Sequence, residues 1–305
     1  NPGIGAGGGL VGESKAEILQ GLAGAGDAIA TWIAVEPGKP ADRAEVVMRF
    51  QAAHGLGFPL VLKPDVGERG SGVVIARSAA EIAATVADEP AKLIAQAYVA
   101  GVEYGVFYYR IPGAERGEIL AITDKRLVYV TGDGRAPLEH LILRDERGVG
   151  MARFFLAKFD GRGAEVPAEG ERVALGELGT HSRGALFLDG THLVTAALRE
   201  AVERVSRAFV GFDFGRYDVR AESAEAFQRG EFTVIELNGL TSEATSIYDP
   251  RHSVWFGWGM LMRQWRIAFQ IGVANRARGG RVLTLAELGR LVWPRGETGV
   301  VNREI

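Results

Sequence analysis

The chain of 305 residues contains no cysteine. This excludes disulfides, a thiolate nucleophile and any cysteine-ligated zinc site, and is compatible with the cytoplasm as the working compartment. Histidine is sparse: the five residues His54, His140, His181, His192 and His252 are scattered without an HExxH spacing, so zinc has no support. Positive charge is not in excess either. The formal net charge is -3 and no basic stripe interleaved with aromatics occurs, so nucleic acid is not an expected partner. No uninterrupted apolar run approaches the roughly 18 residues of a spanning helix, and no basic and apolar leader opens the chain. It starts at Asn1 rather than methionine, which reads as a processed or shortened chain lacking something upstream.

What is present is an ordinary globular composition, 47% hydrophobic, on a chain long enough for two structural units or one large one. The order of elements reads as α+β. A glycine-rich entry, NPGIGAGGGLVG, precedes a helix over about 13–24, with Ser14 or Glu13 as its cap. Strand ATWIAV, a helix over about 42–54, strands FPLVLKP and VVIAR, a helix over about 79–87 and strand LIAQAYV complete a compact unit ending near Gly101. Two long alternating strands, VEYGVFYYRIP and EILAITDKRLVYV, then form a meander. Helices are expected over about 136–145, 195–210 and 252–274, the first two separated by a polar glycine-rich stretch, and a shorter helix, LTLAELGRLVW, ends the chain.

Two segments carry most of the chemistry, GRYDVRAES (215–223) and FTVIELNG (232–239). Both alternate as strands. Paired antiparallel about Phe227, they place Asp218 opposite Glu236 and Arg216 opposite Asn238 on one face, while Tyr217, Val219, Ile235 and Leu237 face a core. Two facing carboxylates repel unless a cation lies between them. Oxygen-only ligands from Asp218, Glu236 and Asn238 suit a hard divalent ion such as Mg²⁺. The competing reading is a solvent-facing hairpin whose carboxylates are neutralised by Arg216 and Arg220.

The loop DVGERGSGV (65–73) has three glycines, Gly67, Gly70 and Gly72, whose amides can approach phosphate oxygens; it joins two strands, so it is a hairpin lid and not a Walker loop. Alone, such a loop is usually a turn. Lys63 just before it ends an apolar strand, where a long cation either snorkels or reaches a phosphate. Glu103 follows strand LIAQAYV beyond a glycine, as an exposed strand residue or an acceptor for a hydroxyl. Of Lys125 and Arg126, alternation turns one inward, where it needs an anionic partner.

In this order the elements resemble the ATP-grasp superfamily, in particular carboxylate-amine ligases of the D-alanine-D-alanine ligase and cyanophycin or glutathione synthetase kind. The resemblance runs over about residues 11–250, from Lys15 in GESKAEIL through Lys63, the glycine lid, LIAQAYVAGVEYGV, RYDV and IELN, with VTGDGRAPLEHLI and THSRGALFLDGT similar to the cyanophycin synthetase branch. It implies ATP and Mg²⁺ held between two α+β units. Lys15 and Lys63 would contact phosphates, with Gly67, Gly70, Ser71 and Gly72 as lid. Gln96, Ala97 and Val99 would line the adenine slot, Glu103 would hold the ribose, and Asp218, Glu236 and Asn238 the metal. Arg216 would steady the reacting centre, with Lys125 and Arg183 as further candidates near the transferred phosphate. Gln96 stands where the family more often has glutamate; its carbonyl can still accept from an amino group.

The resemblance divides the chain into an entry segment (1–14) standing for a reduced or truncated N-terminal domain, a lid subdomain (15–102), a metal and nucleotide subdomain (103–274) and a helical tail (275–305). The implied reaction joins a small-molecule carboxylate to an amine through an acylphosphate; a phosphotransferase or a nucleotide-binding module without ligase activity are the alternatives. In the helix near residues 253–274, Val254, Trp258, Leu261, Trp265, Phe269 and Val273 form a stripe at helical spacing. It reads first as a packing face on the larger unit, with a membrane surface or a homodimer contact as sharper options beside Arg263 and Arg266.

Overall fold

The computed structural model describes residues 1–5, 7–67 and 70–292. Its elements, in chain order, begin with helix α1 (Lys15–Gly21), strand β1 (Trp32–Val35), α2 (Pro40–Ala53), β2 (Leu60–Pro64), β3 (Val74–Ala76), α3 (Ala79–Asp88) and β4 (Leu93–Ala97). Then follow β5 (Val102–Tyr109), β6 (Glu118–Arg126), β7 (Tyr129–Thr131), α4 (Leu138–Arg144), α5 (Glu146–Gly150), α6 (Ala152–Lys158), β8 (Arg172–Ala174) and β9 (Leu186–Asp189). The last group is α7 (Ala196–Ala208), β10 (Phe214–Ala221), α8 (Ala224–Gln228), β11 (Thr233–Asn238), α9 (Val254–Ala277) and α10 (Leu285–Val292).

Two antiparallel sheets organise the chain. The smaller has the order β1-β4-β2-β3; its inner face, including Val35, Leu60, Leu62 and Leu93, packs on Val47 and Phe50 of α2 and on Ile82 and Val86 of α3. Each of these fully buried aliphatic side chains contributes roughly 1.5–3 kcal/mol relative to exposure. The opposite face carries Val61, Lys63, Ile75 and Gln96 toward a cleft. The larger sheet has the order β11-β10-β5-β6-β9. Strict alternation sends Tyr104, Val106, Tyr217 and Val219 into a core closed by Leu198, Val202 and Val205 of α7. Its other face is split. One end packs Phe107, Ala121 and Phe214 on Ile267 and Ile271 of α9, and the other end borders the cleft with charged residues.

α1 spans both cores. Ala16 and Leu19 touch Ile94 of the small sheet, while Ile18 and Leu22 enter the large core. Its start is fixed by Ser14, whose hydroxyl accepts from the Glu17 amide at 3.1 Å and donates to Asp65 at 2.8 Å, and the same carboxylate accepts from the Ala16 amide at 2.8 Å. This clasp brings Lys15 beside the end of β2. The entry segment packs on the larger unit, with Asn1 Nδ2 donating to the Phe214 carbonyl at 2.7 Å.

Several expectations need correction. The connection between β10 and β11 is not a plain turn: Phe227 sits within α8 and is fully buried, because an apolar ring at that point gains more from the core than from a turn tip. The strand read through LVYV breaks after Arg126, and β7 leaves to pair with β8 over a satellite core of Leu138, Ile142, Phe155 and Leu175. The stretch taken as merely polar and glycine-rich holds α5, α6, β8 and β9. The final helix is described over Leu285–Val292, and Trp293 with the remainder of the tail lies outside the described residues.

The stripe on α9 also faces the other way from its first reading. The buried residues are Gln264, Ile267 and Ile271, and the tryptophans point outward. Gln264 sets this orientation: its carbonyl accepts from the Ala244 amide at 3.0 Å and its amide donates to the Ser242 carbonyl at 2.8 Å.

Candidate functional site

A cleft with about 760 Å³ of open space lies between the two sheets. Its small-sheet wall is mostly apolar, Val61, Val73 and Ile75, with Lys63 near one end and Gln96 at an edge. The Gln96 side chain is buried and its Nε2 has no hydrogen-bond partner. Beyond it, Ala97, Tyr98 and Val99 carry the wall to the crossover between the sheets.

The large-sheet wall is charged. Asp218 and Glu236 face each other across β10 and β11, and Arg216 faces Asn238, in the register expected. The register then shifts. A bulge between Asp218 and Val219 pairs Val219 with Val234, so Ile235 leaves the core face assigned to it by alternation and lines the cleft instead. The extra residue also aims its carbonyl outward, where Lys63 Nζ donates to it at 3.1 Å. Burial holds the Lys63 ammonium below the ordinary lysine range, opposed by the charges of Glu236 and Glu103.

Alternation turns one of Lys125 and Arg126 inward; it is Lys125, and its anionic partners are two. Its Nζ lies 2.9 Å from Glu103 Oε1 and 2.9 Å from Asp218 Oδ1, with the side chain 3% exposed. Burial opposes the Lys125 charge, but Asp218 and Glu103 outweigh it and raise its pKa. Arg216 Nε reaches Asp218 Oδ1 at 3.2 Å, and its Nη1 donates to the Glu243 carbonyl at 3.1 Å. Burial works against the Asp218 charge too, and Arg216 and Lys125 overcome it to hold the carboxyl below its usual range. Gly105 makes this possible on β5: a Cβ there would lie 3.3 Å from Arg216 Cδ and 3.6 Å from Asp218 Oδ1.

Arg220, read from the sequence as a neutraliser of the carboxylate pair, instead binds Glu103 Oε2 at 3.0 Å and the Val99 carbonyl at 2.8 Å, with its guanidinium 5.2 Å from the centre of the Tyr98 ring. The hairpin is not solvent-facing. Glu103 is therefore held between Lys125 and Arg220, neither exposed nor unpaired, and these cations lower its pKa against the opposing effect of burial.

The lid side is built by Lys15, whose Nζ donates to the Gly67 carbonyl at 2.7 Å and lies 3.9 Å from Glu236. Gly70 and Gly72 have φ of 75° and 67°; a Cβ on Gly72 would meet Pro64 at 2.6 Å, so this turn requires glycine. Glu68 and Arg69 of the same loop lie outside the described residues. Facing this turn are Leu178 and Gly179, which sequence reading did not single out, and Thr180, the first residue of THSRGALFLDGT, to which it gave no role. A Cβ on Gly70 would lie 3.2 Å from Thr180, whose buried hydroxyl has no partner.

The cleft thus brings together Lys15, Lys63, Gly67, Gly70, Ser71, Gln96, Ala97, Val99, Glu103, Lys125, Asp218 and Glu236. Gly72, Arg216 and Asn238 adjoin this lining without being part of it, and Arg183 lies in a short 3-10 turn next to Thr180, also outside the lining.

No protein-family model matches the chain, and no curated protein matches it. Among solved structures it is similar to a bifunctional glutathione synthetase from Pasteurella multocida (16% identity, TM-score 0.43, 83% of this chain and 36% of that one). It is similar also to the D-alanine–D-alanine ligase of Bacillus anthracis (16%, 0.48, 87% and 68%) and to a D-cycloserine synthetase (17%, 0.43, 82% and 70%). The chain spans little more than a third of the synthetase's length. With identities this low, the functional reading rests on the side chains of the cleft.

Proposed function

We propose that the cleft is the Mg-ATP site of an ATP-grasp ligase that joins a small-molecule carboxylate to an amine. The observation that carries this reading is the convergence of Lys15, Lys63 and Lys125 with Asp218 and Glu236 at one end of an apolar slot, beneath a glycine-rich turn. A flat base suits the slot of Val61, Ile75 and Ile235, with the unpartnered Gln96 amide at its edge. Polyphosphate suits the cationic end, and the lid amides add donors there.

The residues fit a hard divalent cation. Asp218, Glu236 and Asn238 form an all-oxygen donor set on one strand pair, and the Asn238 nitrogen is buried without a hydrogen bond, so nothing prevents its carbonyl from turning to a ligand. When bound, magnesium supplies further neutralisation of phosphate charge. In the proposed reaction a carboxylate oxygen attacks the γ-phosphorus and ADP leaves; the amine nitrogen then attacks the acyl carbon and phosphate leaves. Such chemistry demands alignment, charge neutralisation and exclusion of water more than a covalent protein group. Arg216, fixed by Asp218 and the Glu243 carbonyl, is assigned to the negative charge that develops at the reacting centre.

Calorimetry with ATP in Mg²⁺ and in chelator tests the site: affinity is expected to fall without the metal and in Asp218→Asn. Equal affinity in all three conditions would remove the metal assignment. Coupled ADP release with pools of carboxylates, with and without amines, tests the reaction. Full turnover without any amine would replace the ligase by a phosphotransferase.

A further inference from the structure

Among the described residues, α9 is supported on one side only. Ile267 and Ile271 bind it to the large sheet and Gln264 to the loop after β11, yet Trp255, Trp258, Met262, Trp265, Phe269 and Val273 are each between 51% and 73% exposed. At 3.6 residues per turn these six fall within an arc of about 80° and extend for about 27 Å along the axis. A contiguous apolar surface of this kind marks an interaction site, not ordinary scatter of surface residues.

The charge around it selects the occupant. From Pro250 to Ala286 the sequence has six arginines and no aspartate or glutamate. Arg251 is committed to Asp249 and Arg281 to Glu287. Arg266 and Arg276, exposed beside or within the apolar arc, make no ion pair among the described residues. Two copies joined through this face about a two-fold axis would bring Arg266, near the middle of the helix, toward its own mate with no acidic side chain on the helix to neutralise it. A convex helix also offers no pocket for an anchor side chain. A negatively charged lipid surface satisfies all these features: apolar side chains enter the acyl boundary, tryptophan rings sit at headgroup depth, and the arginines meet phosphates.

We propose that the outer face of α9 docks the protein along an anionic lipid bilayer. No described helix is long and apolar enough to cross a membrane, so the contact runs along the surface. The inference is independent of the nucleotide reading.

The test is flotation of the full chain with phosphatidylcholine vesicles and with vesicles containing about 30% phosphatidylglycerol, at low and high salt. Binding to the phosphatidylglycerol vesicles is expected, weakening with salt. Arg266→Gln should reduce it about fivefold, and Trp258→Ser with Phe269→Ser by more than about tenfold. Circular dichroism melting of the same variants checks that the fold persists, and Arg266→Gln, wholly on the surface, keeps the test valid if the double variant fails to fold. Absence of vesicle binding, equal binding to both vesicle types, or unchanged binding of Arg266→Gln would overturn the proposal. So would a concentration-dependent dimer in ultracentrifugation that the tryptophan variant abolishes, which would assign the face to a second copy.

Discussion

The two walls of the cleft solve opposite problems. The small-sheet wall buries one cation, Lys63, and one amide, Gln96, in apolar surroundings and leaves the amide nitrogen without a partner. The large-sheet wall buries Lys125 and Asp218, partly buries Glu103, and closes them with Arg216 and Arg220 into a connected network. Polar atoms left unpaired in a wall cost stability unless something arrives to pair them, whereas a closed network is self-sufficient and rigid. Under the proposed function, the difference suits the first wall to recognition and the second to positioning.

The comparison breaks most directly at Lys125. Lys125→Met would leave Glu103 and Asp218 facing each other with fewer cations, and removing one partner of such a buried cluster costs about 3–5 kcal/mol. Chemical denaturation should show a loss of that order. A loss well under 1 kcal/mol would mean that the network is not what holds the charged wall.

Arg216→Ala probes the same wall at its outer end. Turnover should fall about 10² to 10³-fold while nucleotide affinity changes less, because such a donor acts on developing charge. Lys63→Ala on the recognition wall should show the reverse, with affinity falling most. An Arg216→Ala protein that loses nucleotide binding but keeps turnover at saturation would collapse the distinction between the walls.

The smallest effect is in pH. Lys63 holds its proton less tightly in the folded chain than when unfolded, so between its lowered pKa and the ordinary lysine value folding stability rises with pH. An anionic ligand reverses this by favouring the ammonium. Nucleotide binding in the alkaline range should therefore take up a proton and weaken as pH rises, measurable by calorimetry in two buffers of different ionisation heat. Lys63→Arg should abolish the uptake; an uptake that persists in that variant would place the proton elsewhere.

Much of the charged wall was legible because strand alternation is strict. It placed Asp218 against Glu236 and Arg216 against Asn238, and turned one of Lys125 and Arg126 inward without saying which. It could not identify Glu103 as a partner of Lys125 or turn Arg220 away from the carboxylate pair, since those contacts join β5, β6 and β10 across the sheet. The bulge at Ile235 was hidden for a different reason: a β-branched apolar residue suits either a core or an apolar cleft, and nothing local signals an extra residue. Leu178 and Gly179 escaped notice, and Thr180 received no role, because short elements separated by glycines leave no period to read. On α9 both faces are apolar, so spacing finds a stripe but not its direction, which shows in the two bonds of Gln264 and the burial of Ile267 and Ile271.

The bond from Lys63 to the Ile235 carbonyl crosses from one sheet to the other, and Lys15 likewise engages the Gly67 carbonyl of the lid. Both lysines thus donate to neutral carbonyls that an anionic phosphate can outcompete, Lys15 with Glu236 a further 3.9 Å partner. Under the proposed function, the ammonium groups that make these contacts are those the nucleotide would claim, so its arrival would be an exchange of partners. Backbone carbonyls satisfy these cations, and on that reading the ligand itself would release the contacts that join the two walls.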